Sequence, residues 1–151
     1  MSDGSRNNWW LGIGAVGLVL ALVFVALARE PVVLDATTPE GTVQRYLQAI
    51  SDDDYELAFN YLDPAYYDGC DSTALARSAP DEPFTASIED AETTSSDHPL
   101  IPVTLRFGTG GGPFDSGWTT YEQFELVSVG GTWLITNEAW PYFGWDCRKD
   151  V

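Results

Sequence analysis

Few of the residues that usually perform catalysis or bind metals stand in a recognisable pattern in this chain. His98 is the only histidine, so a zinc or haem site is not expected. The run Asp52-Asp53-Asp54 lacks the alternating spacing of an EF-hand calcium loop, and carboxylates of this kind favour helix N-termini. The G-x-S-x-G motif of a serine nucleophile is also absent. The sequence therefore predicts a protein that is not an enzyme and that uses no metal and no cofactor.

Two other features with chemical potential have simpler interpretations. The glycine-rich stretch FGTGGGPFDSG, residues 107–117, lacks the Lys-Ser/Thr pair of a phosphate-binding loop and is predicted to connect two strands. Cys70 and Cys147 do not form a Cys-x-x-Cys redox motif. They could form one disulfide, which requires an oxidising compartment, or they could remain two reduced and buried thiols.

The stretch EAWPYFGWDC, residues 138–147, is unusually dense in aromatic residues. Aromatic side chains at this density either fill the open end of a domain or form a contact surface, because Trp and Tyr often anchor binding. Both interpretations remain open. If the aromatic side chains fill the open end of the domain, Cys147 would attach the segment there. The aromatic residues that we predict to contact a partner are Trp9, Trp10, Trp140, Tyr142, Phe143 and Trp145.

Residues 9–28 form an apolar segment without charge or proline. A helix rises about 1.5 Å per residue, so this segment spans roughly 30 Å, the thickness of a bilayer's hydrocarbon core. Trp9 and Trp10 lie at one end, where amphipathic rings favour the headgroup level. Residues 26–28, Ala-Leu-Ala, also fit a cleavage site, but the segment is longer than the apolar region of a usual signal peptide. We therefore expect an uncleaved transmembrane helix.

The expected organisation is a cytoplasmic tip at residues 1–8, a transmembrane helix at 9–28, a short tether at 29–37 and an extracytoplasmic domain at 38–151. The expected location is the plasma membrane, with a single span and the N-terminus in the cytoplasm. The chain has 23 Asp and Glu but only 7 Lys and Arg, which gives a net charge of −16. Such a charge repels nucleic-acid phosphates, so nucleic acid is not an expected partner. It fits a solubilising surface or a partner with a basic face.

The domain opens with the patterns of amphipathic helices. Thr38 is a suitable N-cap for a helix that starts at Pro39, and the apolar residues that follow recur at helical spacing. Asp53 followed by Glu56 resembles the capping box of a second helix. A short third helix is expected around residues 72–78.

The remainder of the domain has the pattern of strands. Apolar and polar residues alternate in FTASIEDAE and LIPVTLRF, and WTTYEQFELVSV is a longer strand pattern. Gly130-Gly131 then predicts a two-residue hairpin turn into TWLITNEAW. Helices followed by about four antiparallel strands predict an α+β fold, in which two to three helices pack on one side of a curved sheet.

The helical hairpin PEGTVQRYLQAISDDDYELAFNYLDP, the long antiparallel strands and the late GGTWLI resemble the nuclear transport factor 2-like (NTF2-like, cystatin-like) superfamily over about residues 38–140. The resemblance implies a cone-shaped α+β domain, and it implies a membrane-anchored bacterial member. This superfamily contains enzymes, binding modules and structural domains, so the resemblance does not determine the function.

The retained anchor, the short tether and the missing catalytic set predict a non-catalytic accessory or scaffolding subunit of a larger membrane protein complex, such as an energy-transducing or transport assembly. The alternative implied by the resemblance is a domain that binds a small molecule between its helices and its sheet; an enzyme of the same fold is a weaker alternative. In that case the residues expected to line the pocket are Tyr46, Tyr55, Phe59, Trp118, Tyr121 and Trp133.

Overall fold

A computed structural model of the chain describes residues 32–92, 98–108, 117–137 and 139–143. The chain divides into two units, Met1–Val33 and Leu34–Val151, and the description below concerns the second unit. The predicted transmembrane segment 9–28 lies outside the described residues. Within the described ranges, no helix combines the length and the apolar character needed to cross a membrane.

Helix α1, Pro39–Ser51, begins where its sequence predicts. The Thr38 hydroxyl accepts a hydrogen bond from the Gly41 amide, and Pro39 occupies the first turn, where its missing N–H costs nothing. The segment before the helix is also attached to it, because Gln44 Oε1 accepts from the Leu34 amide at 2.8 Å. This hydrogen bond attaches Leu34 to α1.

Two short helices follow, α2 at Tyr55–Phe59 and α3 at Ser72–Ser78. The cap of α2 differs from the sequence prediction, because the carboxylate that accepts from the Leu57 amide belongs to Asp54. Asp53 instead adopts a positive φ of 58° and makes the tight turn between α1 and α2. Asp tolerates this left-handed conformation better than most residues, so a run of three aspartates serves both the turn and the cap.

The four strands are β1 at Phe84–Ile88, β2 at Leu100–Phe107, β3 at Thr119–Val129 and β4 at Thr132–Ile135. They form one antiparallel sheet in the order β1-β2-β3-β4. Gly130 and Gly131 connect β3 to β4, and both have positive φ angles, of 61° and 85°. This is the backbone of the predicted two-residue hairpin turn, which glycine adopts without steric cost.

The sheet has a core-facing side and an outer side, as the alternation of its residues predicts. Along β2 the side chains of Ile101, Val103, Leu105 and Phe107 are buried, and they join the apolar faces of the helices in one hydrophobic cluster. Three helices and a curled four-stranded antiparallel sheet confirm the expected α+β architecture.

Candidate functional site

The segment formed by residues 139–143, here called the aromatic segment, is tied to the helical layer by tyrosine hydroxyls. The Tyr46 hydroxyl of α1 donates to the Trp140 carbonyl at 2.9 Å. The Tyr67 hydroxyl donates to the Asn137 carbonyl at 2.6 Å and accepts from the Ala139 amide at 3.2 Å. These bonds satisfy polar groups in an apolar interior, where an unpaired group would be costly.

The aromatic segment contributes two large side chains to the core. Trp140 packs edge-on against Phe84 of β1, with ring centroids 4.9 Å apart. Phe143 stacks on Tyr67, with centroids 5.0 Å apart and the rings nearly parallel. Both Trp140 and Phe143 are buried. Both side chains thus belong to the hydrophobic cluster that the helices and the sheet share.

Burial also determines the chemistry of Tyr46. Its removal from water raises the pKa of the Tyr46 phenol well above the usual range, and the nearby Tyr67 adds to this rise. Tyr46 therefore stays neutral and acts as a hydrogen-bond donor, which is the role its geometry gives it.

A groove of about 500 Å³ lies beside the middle of β2 and β3, and most of its strand residues belong to the outer side of the sheet. Its other residues come from just after β1 and from the segment after β4. We call it the outer groove, and the residues that line it are Glu89, Pro102, Val103, Thr104, Tyr121, Glu122, Gln123, Asn137 and Tyr142. The strand register explains the arrangement, because Pro102 pairs with Gln123 and Thr104 pairs with Tyr121.

Glu122 is a lining residue of the outer groove whose side chain faces the core. It lies opposite Val103 in the register, on the core-facing side of β3, and only 7% of its surface is exposed. One carboxylate oxygen accepts a hydrogen bond from the Thr120 hydroxyl at 2.9 Å, and the other accepts from the Tyr142 hydroxyl. Two neutral donors thus hold a largely buried acid.

Two more residues of the outer groove have unusual environments. Tyr142 is half exposed and has a positive φ of 30°, a region that is costly for residues with side chains. The Asn137 side-chain amide donates to the Gln123 carbonyl at 2.7 Å. Its Oδ1 atom is buried and has no hydrogen-bond partner among the described residues.

The residues predicted to contact a partner differ in their exposure to solvent. Trp140 and Phe143 are buried, whereas Tyr142 is exposed at the outer groove. Trp9, Trp10 and Trp145 lie outside the described residues. Cys70 packs partly buried against the core, and Cys147 also lies outside the described residues, so their pairing stays a prediction.

The residues expected to line an interior pocket are not gathered around one space. Tyr46 is fully buried, and Tyr55, Phe59 and Trp133 pack partly buried against the core. Trp118 stacks on Phe107 at 4.1 Å, with half of its surface exposed. Tyr121 is on the outer side of the sheet and is 81% exposed.

The single histidine has a partner at the surface. His98 Nδ1 lies 3.1 Å from the Glu125 carboxylate, and both side chains are well exposed to solvent. Ion pairs in this setting contribute little, because solvent screens them.

No protein family and no curated protein matches this chain. Among solved structures, a SEC-C motif containing protein from Rhodopseudomonas palustris is similar, with a TM-score of 0.55 and 20% identity, over 69% of this chain and 79% of that chain. An NTF-2-like protein of unknown function from Shewanella oneidensis MR-1 gives a TM-score of 0.47 and 11% identity, over 63% of this chain and 88% of that chain. At 20% identity, the first likeness concerns the fold alone.

Proposed function

We propose that the protein is a non-catalytic accessory or scaffolding subunit of a larger membrane protein complex, such as an energy-transducing or transport assembly. In this proposal a single helix at residues 9–28 anchors it in the plasma membrane, with the N-terminus in the cytoplasm. The domain, a membrane-anchored member of the NTF2-like superfamily, then lies outside the cytoplasm and binds its partner through its surface.

The observation that supports the proposal is the burial of aromatic side chains in the core. Trp140 packs against Phe84 of β1 and Phe143 stacks on Tyr67, so both belong to the hydrophobic cluster. Exposed aromatic residues are found instead on the surface, at Trp118, Tyr121 and Tyr142. Tyr is enriched in the contact surfaces of protein complexes, so this distribution supports binding through the surface.

The test is to find where the chain migrates when native membranes are solubilised in mild detergent and the complexes are separated by size. We expect the chain to travel with a large assembly whose other subunits are then identified by mass spectrometry. Migration alone, or as a small oligomer, would contradict the proposal.

A pair of surface variants sharpens this test. Tyr121→Ser removes the most exposed aromatic side chain of the sheet, and we expect it to weaken co-migration. Leu57→Ser is the matched control, because Leu57 is an exposed apolar residue on α2. Equal loss in both variants would point to damage to the fold rather than to a contact at the sheet.

The outer groove favours a second candidate function, the binding of a small molecule. Its volume of about 500 Å³ lies within the range of ligand sites. If the chain migrates alone, the outer groove is the place to search for that molecule, for example by screening metabolites for protection against thermal unfolding.

A further inference from the structure

We propose that the open edge of β1, the main-chain groups of Phe84, Ala86 and Ile88, binds an extended segment of the partner protein as an additional antiparallel strand. The segment has an uncharged middle with alternating apolar residues, and it has Lys or Arg at both ends. The inference rests on the proposed function, because it names the surface and the kind of segment through which the accessory subunit binds its partner.

The strand register leaves one row of main-chain groups of β1 without partners. The Glu89 amide donates to the Pro102 carbonyl, so in this antiparallel pair the odd-numbered residues of β1 bond to β2. The N–H and C=O groups of Phe84, Ala86 and Ile88 therefore point away from β2. None of these groups has a hydrogen-bond partner among the described residues.

The open edge is accessible to solvent. Residues 85–87 in the middle of β1 are exposed, and Ala86 is exposed even though it belongs to the core-facing side of the sheet. On β4, at the other end of the sheet, the Ile135 groups that point away from β3 are bonded to Tyr61 and Asp63. A strand with free donors and acceptors is a template to which another strand can pair.

A β-bulge limits the length of the open edge. Just after β1, Asp90 and Ala91 together stand opposite Ile101, so the strand bends there. The Ala91 amide donates to the Glu40 carboxylate of α1 at 3.3 Å. The open edge is therefore confined to Phe84–Ile88, and a partner strand of comparable length covers it.

Acidic residues flank the open edge on both sides. No residue of β1 is charged, whereas the flanking chain within residues 81–92 contains no Lys or Arg and these exposed acids: Asp81, Glu82, Glu89, Asp90 and Glu92. A second copy of this chain is a poor partner, because in an antiparallel pair of two β1 strands centred on Ala86 the acid Glu82 would face Asp90. A segment with cations at both ends has the complementary charge.

The side chains of β1 determine the middle of the partner segment. Phe84 and Ile88 are only partly buried against the hydrophobic cluster. Residues opposite them in an added strand lie on the same side of the sheet, so apolar side chains there extend the cluster. On the outer side Arg106 of β2 lies opposite Thr85, which disfavours a further cation between the two basic ends.

The experiment uses the full-length protein in detergent micelles and the synthetic peptide Ac-KRVTVTVRK-NH2, whose Val residues face the open edge. Calorimetry measures binding, and NMR measures the hydrogen exchange of assigned amides. In the free protein the Ser87 amide should exchange slowly, and the Ala86 and Ile88 amides should exchange fast. Saturating peptide should slow these two amides about 10-fold or more. No binding, or binding that leaves them unprotected, would overturn the proposal.

Three further peptides separate strand pairing from a general attraction to an acidic chain. Methyl groups on the Val amide nitrogens remove the donors to the open edge at constant charge, whereas methyl groups on the Thr nitrogens lie on the far side of the added strand. We expect the Val-methylated peptide to bind about 10-fold or more weakly than the Thr-methylated one. Ac-EEVTVTVEE-NH2 should bind about 10-fold or more weakly than the basic peptide. Equal binding within either comparison would overturn the proposal.

Two pairs of variants locate the contact on the protein. Ala86→Pro removes an N–H of the open edge and leaves the bonds between β1 and β2 in place, so it should weaken peptide binding about 5-fold or more. Ala86→Thr keeps the N–H and should change binding less than about 2-fold. If Ala86→Pro disturbs the amide spectrum, Glu82→Lys decides by a loss of about 5-fold or more, against less than about 2-fold for Glu56→Lys on α2. Equal weakening within the deciding pair would overturn the proposal.

The outcomes separate this inference from the function on which it rests. A chain that co-migrates with a large assembly but binds no peptide at the open edge overturns the inference and leaves the accessory-subunit proposal intact. A chain that binds the peptide at the open edge but migrates alone overturns the assignment of the added strand to a partner subunit, and with it the accessory-subunit proposal.

Discussion

At the scale of single residues, the buried phenol of Tyr46 links stability to pH. Its pKa is raised by burial, so the folded state keeps a proton that the unfolded state loses at about pH 10. The stability contributed by neutral Tyr46 is therefore fully present below about pH 10 and is lost as the pH rises toward the folded pKa, by up to about 1.4 kcal/mol per pH unit. We expect a fall in the free energy of unfolding, measured with urea, between about pH 9 and pH 11.

Tyr46→Phe isolates this effect from the other titrating groups. The variant loses the hydrogen bond to the Trp140 carbonyl and is less stable at neutral pH, but its stability should fall less steeply above about pH 10. Parallel curves for the two proteins would show that Tyr46 does not contribute to the alkaline transition.

A second residue-scale prediction concerns the Tyr142 hydroxyl. Tyr142→Phe removes one of the two donors that the described residues offer to the largely buried Glu122 carboxylate, and we expect a loss of about 1–2 kcal/mol in the free energy of unfolding. Tyr121→Phe is the matched control, because that hydroxyl belongs to a side chain that is 81% exposed; it should change stability by less than about 0.5 kcal/mol. A cost below that of the control would indicate that Glu122 finds another donor.

The strand pattern already placed Glu122 on the core-facing side, but the position could be recognised only with the strand register. In TTYEQFELV the acid falls in step with Phe124 and Leu126, which are buried, so alternation already places it toward the core. Tyr121, by the same alternation, points to the outer side, away from Tyr46 with which it was grouped. The outer groove itself could not be predicted, because it depends on which residues of β1, β2 and β3 become neighbours.

At the scale of secondary-structure elements, the start of α1 depends on a glycine. A Cβ atom at Gly41 would lie 1.7 Å from the Asp35 carbonyl oxygen, so any side chain there displaces the segment that precedes the helix. Gly41→Ala should therefore lower the free energy of unfolding by about 1–3 kcal/mol, although alanine is the better helix former.

Thr73→Ala provides the contrast for Gly41→Ala. Thr73 is exposed in the first turn of α3, and its replacement by alanine brings a gain in helix propensity without a steric cost, so stability should rise slightly. Urea unfolding measures whether the free energy of unfolding falls in Gly41→Ala and rises in Thr73→Ala. A stabilised Gly41→Ala protein would show that the Asp35 segment moves away at little cost.

The boundaries of helices and strands could be predicted where the residues at the boundary favour one specific backbone conformation. Thr38 with Pro39 predicts the start of α1, and Gly130-Gly131 predicts the β3–β4 turn, because each pair has a specific backbone preference. The start of α2 was displaced by one residue, because Asp52, Asp53 and Asp54 are all suitable caps by composition. Their roles differ only through the backbone angles of the turn.

At the scale of the whole molecule, the prediction that remains from the sequence is a disulfide between Cys70 and Cys147. It would close a loop of about 77 residues and stabilise the protein by roughly 4 kcal/mol through the restricted unfolded state. We expect neither thiol to react with a membrane-impermeant maleimide until a reductant is added, and we expect reduction to lower the urea midpoint. Labelling of either thiol without reduction would contradict the disulfide.

The tyrosine bonds to the aromatic segment have a consequence for biosynthesis. Tyr46 and its acceptor at Trp140 are 94 residues apart in sequence, so at translation rates of about 5–20 residues per second roughly 5–20 s pass between their syntheses. During that interval α1 exists without the strands and the aromatic segment that share its hydrophobic cluster, and its apolar face is open to nonspecific contacts. The nascent domain therefore matures late, and a ribosome that stalls before residue 137 leaves an intermediate that needs a chaperone to remain soluble.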